Sequence, residues 1–245
     1  MRVLILAAGK GTRISRYLSG KPKCTVNIGD MPLIEYTVKK LNDLGINDIG
    51  IITGYNKSEI ESVLKNYNIK FFNNPFFDVT NSIASAWFAK DFIAEDDDII
   101  LMNGDVFMEE DLIKRILSEK SSPIVFSDET RKEEADYKFY YENNSLLKYG
   151  KNLKNDEITG EYIGVAKINR DFIKIFKESL NTMISNQNHS LWWENALYTL
   201  IDKHTIYVKD VSGMFWAEVD YIEDYERILK FRKYSIEFNI NVKKI

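Results

Sequence analysis

A basic, glycine-rich stretch near the start of the chain, VLILAAGKGTRISRYLSGKPKCTV at 3–26, carries the densest set of residues able to do chemistry. Gly9 and Gly11 leave the backbone free to close its N–H groups around an anion. Arg13 and Lys23, ten residues apart, can reach the same anion from either end. The spacing fits neither common phosphate loop. Ile14 stands where a dinucleotide fingerprint needs its third glycine, and the G-x-x-x-x-G-K-[ST] pattern of a P-loop is absent. What remains is a cradle for a triphosphate. Lys10 and Arg16 flank it, and each reads equally well as a cation facing solvent.

The elements that present this turn alternate between strand and helix. VLILAA reads as a buried strand, and Ile34, Val38, Leu41 and Leu44 fall at helical spacing with Gly45 as a stop. DIGIITGY at 48–55 is a second buried strand, and Ile60, Val63, Leu64 and Tyr67 mark the next helix. IKFFNN at 69–74 predicts a third strand and NSIASAWFAKDFI at 81–93 a helix. DDIILMNGD at 97–105 is a fourth strand that delivers Asp105 to its carboxyl end, where open α/β sheets bind ligands. Between 120 and 168 short alternating segments predict an antiparallel excursion. Helices at 170–181 and 190–202, strands in TIYVKD and MFWAEVD, and a closing helix from Ile222 complete the pattern. The fold class is α/β: a three-layer α/β/α sandwich around a mixed, mostly parallel, Rossmann-like sheet.

Bulk properties narrow the partners. The chain has 245 residues, enough for one sizeable α/β domain, and a single domain over 1–245 is the expectation. With 33 basic and 37 acidic residues the net charge is −4, which argues against general nucleic-acid binding, so any anion site must be local. Cys24 is the single cysteine and cannot form an intramolecular disulfide, which suits a reducing compartment. Met1 to Ala8 is a short apolar run that reads as a strand and not as a secretory signal. No stretch approaches the ~20 apolar residues of a membrane span. A cytoplasmic location is therefore expected, with no membrane partner, and a homodimer is compatible with the sequence.

The A-A-G-x-G-T-R run with its downstream P-K resembles the signature of the nucleotidyltransferases that make NDP-sugars and CDP-alcohols. The likeness extends over nearly the whole chain. PLIEYTVKKLNDLGINDIGIITGY is similar to the family's next helix and strand, and MNGDVFM to its metal-aspartate strand. LWWENALYTLI, WAEVDYIEDYERI and TNSIASAWFA resemble the phosphocholine cytidylyltransferase branch, whereas GEYIGVAKI is similar to phosphonate cytidylyltransferases. The resemblance implies the nucleotide-diphospho-sugar transferase fold. It also implies that 1–120 mainly bind nucleotide, 121–220 mainly bind acceptor, and 221–245 form a closing helix and tail.

Roles follow residue by residue from that resemblance. Asp105 and Asp220 would hold Mg²⁺, an ion that takes one or two carboxylates plus phosphate oxygens. A strand-end cap for Asp105 and a helix N-cap for Asp220 are the structural alternatives. Glu194, in WWEN, stands where the branch carries an aspartate, so a solvated carboxylate competes with a ligand role. Arg13 and Lys23 would neutralise charge as pyrophosphate leaves. A further family lysine acts on the α-phosphate; Lys148, Lys151 and Lys154 compete for it, and Lys148 is preferred. The nucleotide would lie along Leu6, Ala7, Ala8, Gly9, Gly11 and Thr12, near Gly54, Asn74, Asn81, Ser82 and Gly104. Caps and turns are the alternative for these asparagines and this serine.

The implied reaction is transfer of CMP from CTP to a small phosphorylated or phosphonylated amine, with release of pyrophosphate. A phosphomonoester, with a second pKa of ~6, is already largely anionic at neutral pH, so no general base is required. His189 and His204 accordingly receive no role. Trp192, Trp193, Trp216 and Tyr137, with Tyr140 and Tyr141, fall in segments that should wall an acceptor pocket. Aromatic faces hold quaternary ammonium groups, although core packing is their commoner use. Glu161, Glu194, Glu218 and Asp136 suit a primary ammonium instead. Two further readings stay open: a sugar-1-phosphate nucleotidyltransferase using UTP or dTTP, and a non-catalytic nucleotide-binding protein of the same fold.

Overall fold

Residues 2–7, RVLILA, form strand β1 (Arg2–Ala7), whose side chains alternate between two cores: Val3, Ile5 and Ala7 enter one, Leu4 and Leu6 the other. A strand buried on both faces needs helices on both faces, and this alternation sets the three layers. The computed structural model describes residues 1–242 apart from Thr12 and 15–17, with the backbone alone for Asn155 and 234–242.

β1 lies between β2 (Asp48–Thr53) and β4 (Ile99–Asn103), and β3 (Ile69–Asn73) adds outside β2, all parallel. Beyond β4 the sheet turns antiparallel through β9 (Gly160–Ile168). It continues with β6 (Ile124–Asp128), β10 (Tyr207–Asp210), β8 (Ser145–Gly150) and β7 (Lys138–Glu142). The order is β3-β2-β1-β4-β9-β6-β10-β8-β7, and a small separate sheet pairs β5 (Val106–Met108) with β11 (Trp216–Glu218). Helices α1 (Leu33–Asp43), α2 (Lys57–Val63) and α4 (Glu110–Ser118) cover the face that receives Val3 and Ile5. Helices α3 (Ser82–Phe88), α5 (Arg170–Ser185) and α6 (Asn195–Tyr198) cover the other. The last helix, α7 (Ile222–Val242), sets Ile228 into a third cluster with Ile14, Leu18 and Phe107, so the closing helix packs beside the glycine turn.

Four expectations change. The helix foreseen over 81–93 stops at Phe88 and gives way to turns. The helix foreseen over 190–202 contracts to α6, because Trp193 N–H donates to Ser82 Oγ (3.0 Å) and Trp192 N–H to Asn195 Oδ1 (3.1 Å), bonds that draw the segment off a helical path. Helix α4 is an addition to the expected pattern. The strand foreseen over 97–105 ends at Asn103, which leaves Asp105 in the turn before β5.

Candidate active site

The glycine turn and Lys23 are built around each other. Gly11 has φ +63°, and a Cβ there would lie 2.1 Å from Lys23 Cγ, so only glycine lets the lysine pass. Lys23 then reaches inward, with Nζ 2.5 Å from a carboxylate oxygen of each of Asp105 and Asp220. Arg13 pairs with the same Asp220. Backbone bonds fix the carboxylates: Gly104 N–H donates to Leu6 O (2.8 Å), and Val219 N–H to Asp105 O (2.9 Å). The β5–β11 register, Val106 opposite Glu218, brings in a third acid. Asp105, Glu218 and Asp220 each offer an oxygen, all within 4.8 Å of one another.

Charge balance in the cluster follows from burial. Desolvation pulls the Lys23 ammonium down, but Asp105, Asp220 and Glu218 outweigh it and hold the pKa above the usual lysine value. Burial pushes Asp220 up, yet Lys23 and Arg13 hold it below the ordinary carboxylate value. Glu218, with burial and the Asp105 charge against it, titrates well above that value. Three hard oxygen donors of this kind fit a hard divalent cation better than a soft one.

Two clefts meet at this cluster. One, of about 240 Å³, is lined by Leu6, Ala8, Gly9, Asn81, Ser82 and Asp105, among others. The second, of about 170 Å³, is lined by Arg13, Tyr137, Lys151, Glu161, Trp192 and Glu194, with Tyr162 and Tyr198 in its wall. Asn103, Trp192 and Glu218 belong to both. In the second cleft the Tyr137 ring lies 5.5 Å from Trp192 and 5.8 Å from Tyr198, centroid to centroid. Glu194 is 5% exposed, and its Oε2 has no hydrogen-bond partner. Burial pushes its carboxyl up to about 7. The buried Tyr162 hydroxyl lies beside Glu194 and lowers its pKa, and the buried Tyr198 hydroxyl has no hydrogen-bond partner. Buried polar groups without partners are costly, and this set suits a small ligand that brings a cation or hydrogen-bond donors.

Several sequence-predicted residues support these walls from behind. Ala7 turns its side chain into the apolar core. Gly54 has no room for a Cβ, which would lie 2.7 Å from Phe77 Cβ and 2.8 Å from Ala8 O, and Gly104 is equally tight against Leu6 O (2.9 Å). Asn74 is 1% exposed, donates to Thr80 Oγ1 and Ser85 Oγ, and accepts from Phe76 N–H, so it fixes that cleft's rim from within. Trp193 is buried in the core and donates Nε1–H to Asn103 Oδ1 (3.0 Å), and Trp216 is buried against Asp128 (2.9 Å). Neither tryptophan lines the second cleft. The preference for Lys148 is also corrected. Lys148 lies opposite Tyr140 in the β7–β8 ladder and pairs with Glu157 outside the cleft, whereas Lys151, just past β8, lines it. Thr12 and Arg16 lie outside the described residues. Glu218 joins the carboxylate cluster, whereas the sequence offers it only as an ammonium partner; its place two residues before Asp220 is the available signal. Asn103, Tyr162 and Tyr198 give none.

A basic glycine turn at the carboxyl end of β1, facing an acidic cluster between two clefts, fits a nucleotide-handling transferase. The backbone agrees: it matches the CTP:phosphocholine cytidylyltransferase LicC of Streptococcus pneumoniae with a TM-score of 0.75 at 21% identity, over 94% of this chain and 98% of that one. A UDP-glucose pyrophosphorylase matches with a TM-score of 0.75 at 17% identity, over 96% and 98%. The fold is that of the nucleotide-diphospho-sugar transferases. Residues 3–200 match the MobA-like NTP transferase domain; the chain belongs to that family and is a nucleotidyltransferase. Among its sequence relatives are the CTP:phosphoglutamine cytidylyltransferase of Campylobacter jejuni, 28% identical over 92% of this chain and 98% of that protein, and the choline-phosphate cytidylyltransferase of Streptococcus pneumoniae, 26% identical over 95% and 99%.

Proposed function

We propose that the protein is a cytidylyltransferase that transfers CMP from CTP to a small phosphorylated or phosphonylated amine. The observation that carries this reading is the acceptor-side cleft: Tyr137, Trp192 and Tyr198 surround a buried, unpartnered Glu194 oxygen next to the Asp105–Glu218–Asp220 cluster. A cationic headgroup satisfies such a site, whereas a neutral sugar leaves the carboxylate without a counter-charge. The cytidylyltransferases among the relatives support the choice of CTP.

One acceptor oxygen forms the new bond to the α-phosphorus, the bond from that phosphorus to the bridging oxygen breaks, and pyrophosphate leaves with the electron pair. The acceptor is already anionic, so positioning and charge do most of the catalysis. Arg13 and Lys23 bind the triphosphate, exchanging their present carboxylate partners for phosphate oxygens. The backbone of Leu6 to Gly9 and the Asn81–Ser82 turn hold the nucleoside. Lys151 faces the acceptor phosphate, and Glu194, Tyr137 and Trp192 face the headgroup. Asp105, Glu218 and Asp220 would hold Mg²⁺, which screens the repulsion between the reacting anions when bound.

The test is pyrophosphate release with Mg²⁺ across CTP, UTP, ATP, GTP and dTTP. Acceptors are phosphocholine, phosphoethanolamine, 2-aminoethylphosphonate, phosphoglutamine and glucose 1-phosphate. Turnover with CTP and an amine-bearing acceptor, lost in Asp105→Asn, is the expected result. Turnover with glucose 1-phosphate alone overturns the reading.

A further inference from the structure

We propose that Arg131 and Glu161 form a clasp that positions the outer wall of the acceptor cleft, so that both act through Asp136 and Tyr137 and neither touches the acceptor. This rests on the cytidylyltransferase reading and revises the role of Glu161, which the sequence places as an acceptor ligand. Glu161 is 6% exposed on β9, where it lies opposite both Asp128 of β6 and Lys138 of β7. Its two oxygens are both engaged. Oε2 accepts from Arg131 Nε at 2.6 Å, and Oε1 accepts the backbone N–H of Asp136 at 2.9 Å. Glu194, in the same cleft, keeps one oxygen unpartnered. Two glutamates of the same cleft thus have separable tasks.

The segment between β6 and β7 has a single 3-10 turn, Glu129–Arg131, and no regular structure from 132 to 137, so its course depends on side-chain anchors. At its start Asp128 accepts from Thr130 N–H (2.8 Å) and Thr130 Oγ1 (2.6 Å) through one oxygen, and from Trp216 Nε1 (2.9 Å) through the other. In its middle the Arg131 guanidinium lies 5.3 Å from the Trp216 ring centroid. At its end the Glu161 bond captures Asp136, and Tyr162 N–H donates to Tyr137 O (2.9 Å). What is held there belongs to the cleft. Asp136 pairs with Lys151 at 2.8 Å, and Tyr137 packs on Trp192 and Tyr198. Without the clasp, Asp136 and Tyr137 lose their fixed position while β6, β9 and the nucleotide-side cleft keep their own backbone ladders. The clasp therefore governs acceptor recognition first, and it reaches the nucleotide side through the longer Asp136–Arg13 ion pair at 4.0 Å.

The experiment compares wild type with Arg131→Met, Arg131→Lys, Glu161→Gln and the double variant Arg131→Met/Glu161→Gln, using CTP with phosphocholine, phosphoethanolamine, 2-aminoethylphosphonate and phosphoglutamine as acceptor probes. In Glu161→Gln a side-chain amide must satisfy two donors with one oxygen, so the isosteric change breaks the clasp. Arg131→Met and Glu161→Gln should each raise the acceptor KM roughly tenfold or more, with a much smaller change in the CTP KM, because misplacing a positioning group by about 1 Å costs up to about 100-fold and the Asp136–Arg13 pair is long and exposed. The double variant should be no worse than either single one, and Arg131→Lys should fall between them and wild type. Amide exchange over 132–137 should quicken in both single variants. A KM rise in Glu161→Gln alone would overturn the proposal, since Glu161 would then contact the acceptor itself. Parallel losses in CTP binding, or unchanged exchange, would overturn it too. Wild type that turns over no CTP with any probe refutes the function reading separately, and the exchange measurement alone then decides the clasp.

Discussion

Replacing Glu194 by glutamine should make the protein more stable and its acceptor recognition worse, and the stability gain should appear only above acid pH. A glutamate in the unfolded chain titrates near 4.5, whereas burial holds Glu194 near 7. Because the folded pKa is raised, folding favours the protonated form. The penalty for ionising Glu194 is absent below the unfolded value, grows as pH rises from 4.5 to about 7, and is complete above that. A shift of this size amounts to about 3 kcal/mol, since each pKa unit is worth about 1.4 kcal/mol. Glutamine keeps the shape and an oxygen for Asn103 but carries no charge, so it escapes the penalty.

Denaturant unfolding at about pH 4 and about pH 8 measures this directly. Glu194→Gln should match wild type at the lower pH and exceed it by about 3 kcal/mol at the higher, a rise of roughly 6–12 °C in midpoint for a chain of this size. The acceptor KM of wild type should fall more steeply toward pH 7 than that of the variant, in which only the acceptor phosphate's own ionisation near ~6 remains. A stabilised but poorer enzyme is the mark of a carboxylate kept unpartnered for a ligand. Equal stability at both pH values, or a loss at both, would refute the reasoning.

Three further expectations follow from the basic turn and its neighbours. Lys23→Met leaves Asp105, Glu218 and Asp220 without their central cation, so at neutral pH it should cost roughly 3–5 kcal/mol of stability, partly recovered on acidification, and abolish pyrophosphate release; Gly11→Ala, whose Cβ would displace Lys23, should cut turnover at least tenfold with little change in helix content by circular dichroism. Burial raises the Cys24 thiol to about 12, so an aromatic disulfide reagent should leave it unmodified until denaturant unfolds the chain; prompt labelling of native protein would contradict its placement.

What the sequence shows and what it hides divide along physical lines. Strands buried on both faces are unbroken aliphatic runs, and so β1, β2 and β4 are legible, as is the glycine turn that follows β1. Asp105 and Asp220 can be placed because each sits at or just past a strand end. Helix α4 is legible too, since Leu112, Ile113, Ile116 and Leu117 in EDLIKRILS stand at helical spacing, although the expected pattern omits it. The stretch 190–202 looks helical locally, but tertiary bonds from Trp193 to Ser82 and to Asn103 decide its path. Periodicity carries no trace of such bonds.

The same limit applies with more force to the acidic residues. Glu161, Glu194 and Glu218 are indistinguishable by type, and the sequence offers all three as partners for an ammonium group, with a metal-ligand role competing for Glu194 alone. Their roles separate through what else reaches each carboxylate: an arginine and a backbone N–H for Glu161, two aspartates and a lysine for Glu218, and a distant amide with the Tyr162 hydroxyl for Glu194. Most of those partners lie far along the chain, on a different strand or turn. The phosphate end of this site is written in contiguous residues because a backbone loop must fold around an anion. The acceptor end is assembled from single side chains on β9 and the loops beside it and β7. On the cytidylyltransferase reading, changes in acceptor preference should therefore fall at those scattered positions, with the cradle left intact.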